Sequence, residues 1–183
     1  MNTILNNPLM KQNAKAIIDT LGYVVYNPAL YKLPDADEMF KRLYNLPFND
    51  TFYWENGRRV KGPRKMIWFA DDYKHKYAFS RNHEALPVTL FDNFPTLSFM
   101  RKYIEKISGQ PMNSCLVNIY QNGEEHADWH SDDDPWYGPN PLIASVSFGI
   151  ERPFKFRPKS NKNDEIEMVL ENGSLVFMGG ELQ

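Results

Sequence analysis

Ser114-Cys115-Leu116-Val117-Asn118-Ile119-Tyr120 is where the hydrophobic rhythm of the chain changes. Upstream, apolar residues recur every three or four positions. Here they fall in a short run bounded by turn formers, as in a strand. Four more such runs follow, at residues 141–149, 153–157, 165–171 and 174–178. Gln121-Asn122-Gly123, residues 134–141, residues 161–164 and Asn172-Gly173 separate them. Working back toward the start, Leu97, Met100, Ile104 and Ile107 mark one helix face, which Gly109 closes. Met39, Phe40, Leu43 and Leu46 mark another over residues 35–46, and residues 9–21 read as a first helix stopped by Gly22. Tyr23-Val24-Val25-Tyr26 is a short strand ended by Pro28. Helices first and short strands later predict an α+β fold whose second half is an antiparallel sandwich or barrel. No linker divides the chain, so residues 1–183 are expected to form a single domain.

Composition narrows the classes. The 183 residues are 42% hydrophobic, enough for a core without disulfides or a structural metal. The single Cys excludes an intramolecular disulfide and every multi-Cys metal framework. No apolar run approaches the ~18–20 residues of a membrane span, and the opening residues lack the pattern of a signal peptide. The expectation is a soluble, intracellular monomer, cytoplasmic or nuclear, with no membrane partner.

The densest polar cluster runs from Glu124 to Asp134 and contains His126, Asp128, His130, Asp132 and Asp133. In an extended segment residues i and i+2 share a face, so His130 and Asp132 can converge on one ion. An imidazole and a carboxylate at that spacing are two members of a 2-His-1-carboxylate triad, which leaves open positions on Fe(II). The alternative is a solvated acidic turn whose Asp side chains cap the backbone before Pro135. Calcium fits poorly, because counting from Asp132 the twelfth loop position is Ile143 rather than Glu. A zinc-hydrolase His-Glu-x-x-His is absent, since Glu125 precedes the His126/His130 pair.

Residues 55–81 hold eight Lys/Arg against three acids, interleaved with Trp68, Phe69, Tyr73, Tyr77 and Phe79. Cations that hold phosphates beside rings that stack on bases suit a nucleic-acid surface. A basic hairpin with an apolar underside accounts for the same pattern.

Several motifs follow in order: Pro63-Arg64-Lys65, Tyr77-Ala78-Phe79-Ser80, Val117-Asn118-Ile119-Tyr120, Trp129-His130-Ser131-Asp132-Asp133 and Ile143-Ala144-Ser145-Val146-Ser147-Phe148-Gly149. Arg152-Pro153-Phe154-Lys155-Phe156-Arg157 and Asn172-Gly173-Ser174-Leu175 complete the series. Together they resemble the AlkB family of iron- and 2-oxoglutarate-dependent dioxygenases, its eukaryotic DNA-repair branch in particular, over residues 63–178, with a fainter likeness at residues 39–48. The resemblance implies a double-stranded β-helix, or jelly roll, carrying N-terminal helices. It implies oxidative demethylation of N-alkylated bases in DNA or RNA, with Fe(II), 2-oxoglutarate and O₂; the methyl group leaves as formaldehyde. By position His130 and Asp132 resemble the first two iron ligands, and Asn118 and Tyr120 the pair that binds 2-oxoglutarate. Asp133 resembles the carboxylate that reads the flipped base. Tyr77 and Phe79 resemble lid aromatics, and Arg64 a lid residue near the substrate strand. Lys155 and Arg157 are expected on a strand edge facing nucleic acid or solvent, and Cys115 among apolar neighbours. Duplex-reading members use an apolar finger at the stretch matching residues 56–60, where this chain offers Val60 but no large aromatic. Single-stranded DNA or RNA is therefore the expected partner.

The family pattern also asks for a second metal His after the Gly-Ser-Leu strand and for a pair of Arg that clamp the 2-oxoglutarate carboxylate. No His follows His130 and no Arg follows Arg157. The expectation is an incomplete chain that lacks the last strands and shows little or no dealkylase activity. The alternative function is a non-catalytic nucleic-acid-binding homologue without the full metal triad.

Overall fold

A computed structural model describes residues 1–10, 14–19, 22–75, 77 and 83–182. In chain order its elements are α1 (Asn2–Leu5), β1 (Lys15–Asp19), β2 (Gly22–Asn27), α2 (Asp35–Tyr44), β3 (Asn49–Glu55), β4 (Arg58–Ala70) and β5 (Val88–Leu90). Then follow α3 (Pro95–Ser108), β6 (Ser114–Ile119), β7 (Ile143–Ser147), β8 (Arg152–Phe156), β9 (Ile166–Leu170) and β10 (Ser174–Gly180). The sheets are mainly antiparallel and the helices few. Among the described residues no helix is long and apolar enough to cross a membrane. Contacts group the chain into two compact units, Met1–Tyr44 with Ser131–Gln183, and Asn45–His130.

In the first unit a four-stranded antiparallel sheet has the order β1-β2-β10-β7, and β8 pairs with β9 in a separate hairpin. β10 is buried along nearly its whole length, as expected of a strand with a neighbour on each edge. Val24, Tyr26, Met168, Val176 and Met178 form the core, packed by Ile143, Phe154, Phe156, Leu170 and Leu182. The Tyr26 hydroxyl donates to the Val169 carbonyl at 3.0 Å and accepts from the Glu171 N–H at 3.2 Å, so this buried ring keeps its polar end satisfied. Asn172 ties the turns together: its Oδ1 accepts from the Gly149 N–H at 3.0 Å and its Nδ2 donates to Asp37 at 2.8 Å. Gly173 beside it has φ +82°, and a Cβ there would overlap the Tyr31 carbonyl oxygen and lie 2.9 Å from Ala36 Cβ.

The expected helix over residues 9–21 is corrected, because residues 15–19 are a strand paired antiparallel with β2, Lys15 opposite Tyr26 and Asp19 opposite Tyr23. Ala16-Ile17-Ile18 carries two β-branched residues, and β2 gives them an edge to pair with, which outweighs a helical spacing of apolar residues. The helix expected over residues 35–46 ends at Tyr44. It buries Ala36 rather than Phe40, which is 37% exposed.

In the second unit β4 is the spine. β3 and then β5 pair along one edge and β6 along the other, with Lys65 opposite Ile119 and Ala70 opposite Ser114. The hairpin between β3 and β4 turns at Asn56-Gly57, both at positive φ (49° and 74°), as a tight two-residue connection requires. One β4 face carries Ile67 and Phe69; Phe69 packs edge-on against Phe94 at 5.1 Å and near Phe91 at 6.0 Å, where α3 begins. Helix α3 ends as expected, with Gly109 left-handed at φ 71° and its N–H bonded to the Glu105 carbonyl. The other face carries Met66, Trp68 and Ala70, clustered with Tyr77, Leu86, Val88 and Leu116.

β4 contains a bulge. Asp50 pairs with Lys65 and Phe52 with Lys61, so Thr51 alone lies opposite Gly62, Pro63 and Arg64. The buried Thr51 hydroxyl fills the gap by donating to the Arg64 carbonyl at 2.8 Å. A Cβ on Gly62 would overlap that hydroxyl, and Pro63 has no N–H to lose at a position outside the ladder.

Candidate functional site

The apolar face of β4 and β6 becomes polar at one end. Alternation puts Arg64 on the same face as Met66 and Trp68, and Asn118 and Tyr120 on the same face as Leu116. Continuing the register beyond Lys65 and Ile119 sets Arg64 opposite Tyr120 and diagonal to Asn118. The Arg64 Nε donates to Asn118 Oδ1 at 2.9 Å, and its Nη1 donates to the His126 carbonyl at 2.9 Å. The guanidinium carbon lies 5.9 Å from the Tyr120 ring centroid. A guanidinium only donates, so the oxygen of Asn118 faces Arg64 and its NH₂ is turned to the other side of the amide. Asn118 therefore offers donors to a ligand, as a carboxylate or keto oxygen requires.

Residues 121–130 follow as a loop. Asn122 and Glu125 fold it locally: Asn122 Oδ1 accepts from the Glu124 and Glu125 N–H groups, and Glu125 accepts from the Gln121 N–H at 2.7 Å. His126 is exposed, as expected of a loop residue, with Nδ1 2.7 Å from the Glu124 carbonyl and Nε2 3.4 Å from Asp128. His130 Nδ1 lies 2.6 Å from the Asp128 carbonyl. A carbonyl can only accept, so Nδ1 carries a proton, which leaves Nε2 as the ring position for a metal. Metal-binding imidazoles are commonly oriented this way.

His130 ends the second unit, while Asp132 and Asp133 belong to the first. Asp132 is half-buried. Asp133 is exposed, and Lys159 Nζ contacts its Oδ2; the hydrogen bond and charge of Lys159 hold the Asp133 carboxyl below the usual range. Among the described residues no group of three or more His, Cys, Asp or Glu gathers to hold a metal ion.

Tyr77 is 5% exposed, bridged to Leu86 and packed 4.8 Å from the Trp68 ring, so it belongs to the apolar cluster beneath the hairpin. Phe79 lies outside the described residues. Lys155 meets Glu167 at 3.1 Å and Glu165 at 3.5 Å, and Arg157 meets Glu165 at 3.4 Å, so the β8–β9 edge is an exposed ladder of opposite charges. Much of the basic stretch is paired as well: Arg59 forks onto Glu84 at 2.6 and 2.9 Å, and Lys61 and Lys65 approach Asp50. Residues 56–60 hold no large aromatic, but Trp54 lies just before them, 50% exposed and directly opposite Arg59. It precedes the Asn56-Gly57 turn, on β3. The run Phe52-Tyr53-Trp54 before an Asn-Gly pair was the available signal.

The family described as the 2OG-Fe(II) oxygenase superfamily matches residues 23–183. The chain belongs to it. Within that superfamily it is a member of the AlkB family. It is similar to the alpha-ketoglutarate-dependent dioxygenase alkB homolog 3 of Bos taurus, 31% identical over 168 residues, covering 85% of this chain and 56% of the relative. It is 35% identical over 164 residues to the DNA oxidative demethylase ALKBH2 of Homo sapiens, covering 81% of this chain and 59% of the relative. The ALKBH2 of Arabidopsis thaliana is 34% identical over 116 residues, 51% of this chain and 37% of that one. The chain thus spans about half the length of the curated relatives it matches.

The name of the matching superfamily carries Fe(II) and 2-oxoglutarate, and that of the Bos taurus relative alpha-ketoglutarate. The residues present suit these groups in kind. Nε2 of His130 and the Asp132 carboxylate are the donor types of an Fe(II) site, and the outward NH₂ of Asn118 suits a keto-dicarboxylate. The names of the relatives are those of catalysts, which does not favour the non-catalytic alternative.

Proposed function

We propose that this protein removes N-linked methyl groups from alkylated bases in DNA or RNA. The observation that carries this reading is the 35% identity over 164 residues to a DNA oxidative demethylase. We infer as well that its sheets belong to a double-stranded β-helix in one catalytic domain, and that it works as an intracellular monomer.

Bound Fe(II) would supply the activation of O₂, the oxidant, with 2-oxoglutarate giving up two of the four electrons and the methyl group the other two. The chain's residues do the rest. His130 and Asp132 would hold the ion, the first through Nε2, since its Nδ1 faces the Asp128 backbone carbonyl. Asn118 would donate to 2-oxoglutarate through its NH₂, with Tyr120 on the same strand face. Asp133 accepts from the exocyclic amine of a base turned out of its stack, or attracts a methylated base that is cationic. Trp54 offers a half-exposed ring on which an unpaired base could stack, and the lack of a large aromatic within residues 56–60 favours single-stranded partners.

The test is incubation with Fe(II), 2-oxoglutarate and an oligonucleotide carrying 1-methyladenine, measuring succinate and formaldehyde together. The signal is the excess of both products over the Asp132→Ala variant. Succinate and formaldehyde formed equally by that variant rule the proposal out.

A further inference from the structure

We propose that Arg64 is a positioning residue for 2-oxoglutarate, acting through Asn118 rather than on the ligand or on nucleic acid. The inference rests on the reading of Asn118 as a co-substrate residue. An unrestrained Asn amide can rotate to present either its oxygen or its NH₂. Only the NH₂ suits a carboxylate or keto oxygen; the amide oxygen would repel it. The Nε–H of Arg64, at 2.9 Å from Asn118 Oδ1, selects the productive orientation before any ligand arrives. The second prong, from Nη1 to the His126 carbonyl at 2.9 Å, ties β6 to the loop that leads to His130. One planar group thus holds both the amide and the loop.

Arg64 is itself well held. Its carbonyl accepts from the Thr51 hydroxyl at 2.8 Å within the β4 bulge, and its guanidinium lies over the Tyr120 ring. Bulges commonly re-aim a side chain beside a site. A lysine cannot replace this arrangement, since a single ammonium on a flexible stem lacks the fixed fork that reaches two acceptors in different directions.

The test measures 2-oxoglutarate binding by calorimetry, with Mn(II) in place of iron so that no turnover occurs, on the unsubstituted chain, Arg64→Met, Arg64→Lys, Asn118→Ala and the Arg64→Met/Asn118→Ala double variant. Loss of one oriented hydrogen bond should weaken binding about three- to tenfold. Arg64→Lys should lose about as much as Arg64→Met, although it keeps the charge. The double variant should bind no more weakly than Asn118→Ala alone. If Arg64→Lys fails to fold, Thr51→Val, which frees the Arg64 carbonyl but leaves the guanidinium intact, should weaken binding in the same direction. Losses that add in the double variant, or near-normal binding by Arg64→Lys, would mean that Arg64 contacts the ligand through its charge and would overturn the proposal. Unchanged binding by both Arg64 variants beside a weakened Asn118→Ala overturns it while leaving the reading of Asn118 intact. No binding by the unsubstituted chain, or full binding by Asn118→Ala, overturns that reading and this proposal with it.

Discussion

Lys159 Nζ donates to Asp133 Oδ2 across 2.9 Å, so the carboxylate proposed to read the base already has a cation on it. Both side chains are largely exposed, which limits the pair to about 0–1 kcal/mol. A cationic methylated base must compete with the ammonium, whereas a neutral unmodified base gains little from its removal. Lys159→Met should therefore raise the preference for a 1-methyladenine oligonucleotide over its unmodified counterpart about two- to fivefold, while weakening both at low salt through the lost positive charge. Fluorescence anisotropy on the two oligonucleotides checks this; an unchanged ratio would remove Asp133 from base recognition.

Gly173 and Gly57 both have positive φ, 82° and 74°, but differ in their surroundings. Nothing lies within 4 Å of a Cβ built on Gly57, so Gly57→Ala should cost only the left-handed conformation, about 1–2 kcal/mol. Gly173→Ala adds an overlap with the backbone of Tyr31 and should cost about 3 kcal/mol or more. Urea unfolding of the two variants measures the difference, and equal losses would contradict the packing described for the Asn172-Gly173 turn.

Burial pushes the Cys115 thiol up to about 11. Opposite Phe69 on β6, it is a poor nucleophile near neutrality. Iodoacetamide at pH 8 should modify the native chain roughly two orders of magnitude more slowly than the unfolded chain. Fast native labelling would place Cys115 on an open edge instead.

His83 bridges to Tyr53, and burial, followed by the nearby Arg64 charge, lowers its pKa from the ordinary value. A histidine that resists protonation when folded binds more protons when unfolded, so stability is complete above about pH 6.5 and falls as the solution is acidified below it. His83→Gln should flatten that part of the stability curve. A curve of the same slope would assign the acid sensitivity to other groups.

The second half of the chain was readable because each strand there is short, apolar and closed by its own turn residues. Strands at residues 143–147, 152–156, 166–170 and 174–180 lie close to where the sequence places them. Residues 15–19 misled because a strand on a sheet edge is decided by its partner, and Tyr23-Val24-Val25-Tyr26 is not visible as a partner from local spacing. β4 was obscured by Gly62-Pro63, which looks like a break and is a bulge. At the site, the spacing of Asn118 with Tyr120 was legible as a shared face of β6 continued past Ile119. The bond from Arg64 to Asn118 joins residues 54 apart in sequence, and the ion pair from Lys159 to Asp133 spans 26, so neither leaves a local pattern. Tyr77 resembles a lid aromatic by position, and its burial beside Trp68 is invisible locally because aromatics among cations suit a binding surface and a hairpin underside equally well.

The bulge at Thr51 also sets the phase of everything after it. β4 uses three residues there against one on β3, an even excess, so Lys61 and Lys65 remain on one side and Arg64, Met66 and Trp68 on the other. Deleting a single residue between Lys61 and Arg64 would make the excess odd and exchange the two faces of the strand. Arg64 would then point toward the Phe69 core, and Phe69 toward the ligand. Hydrophobicity, charge and strand length would scarcely change, and the site would be turned inside out.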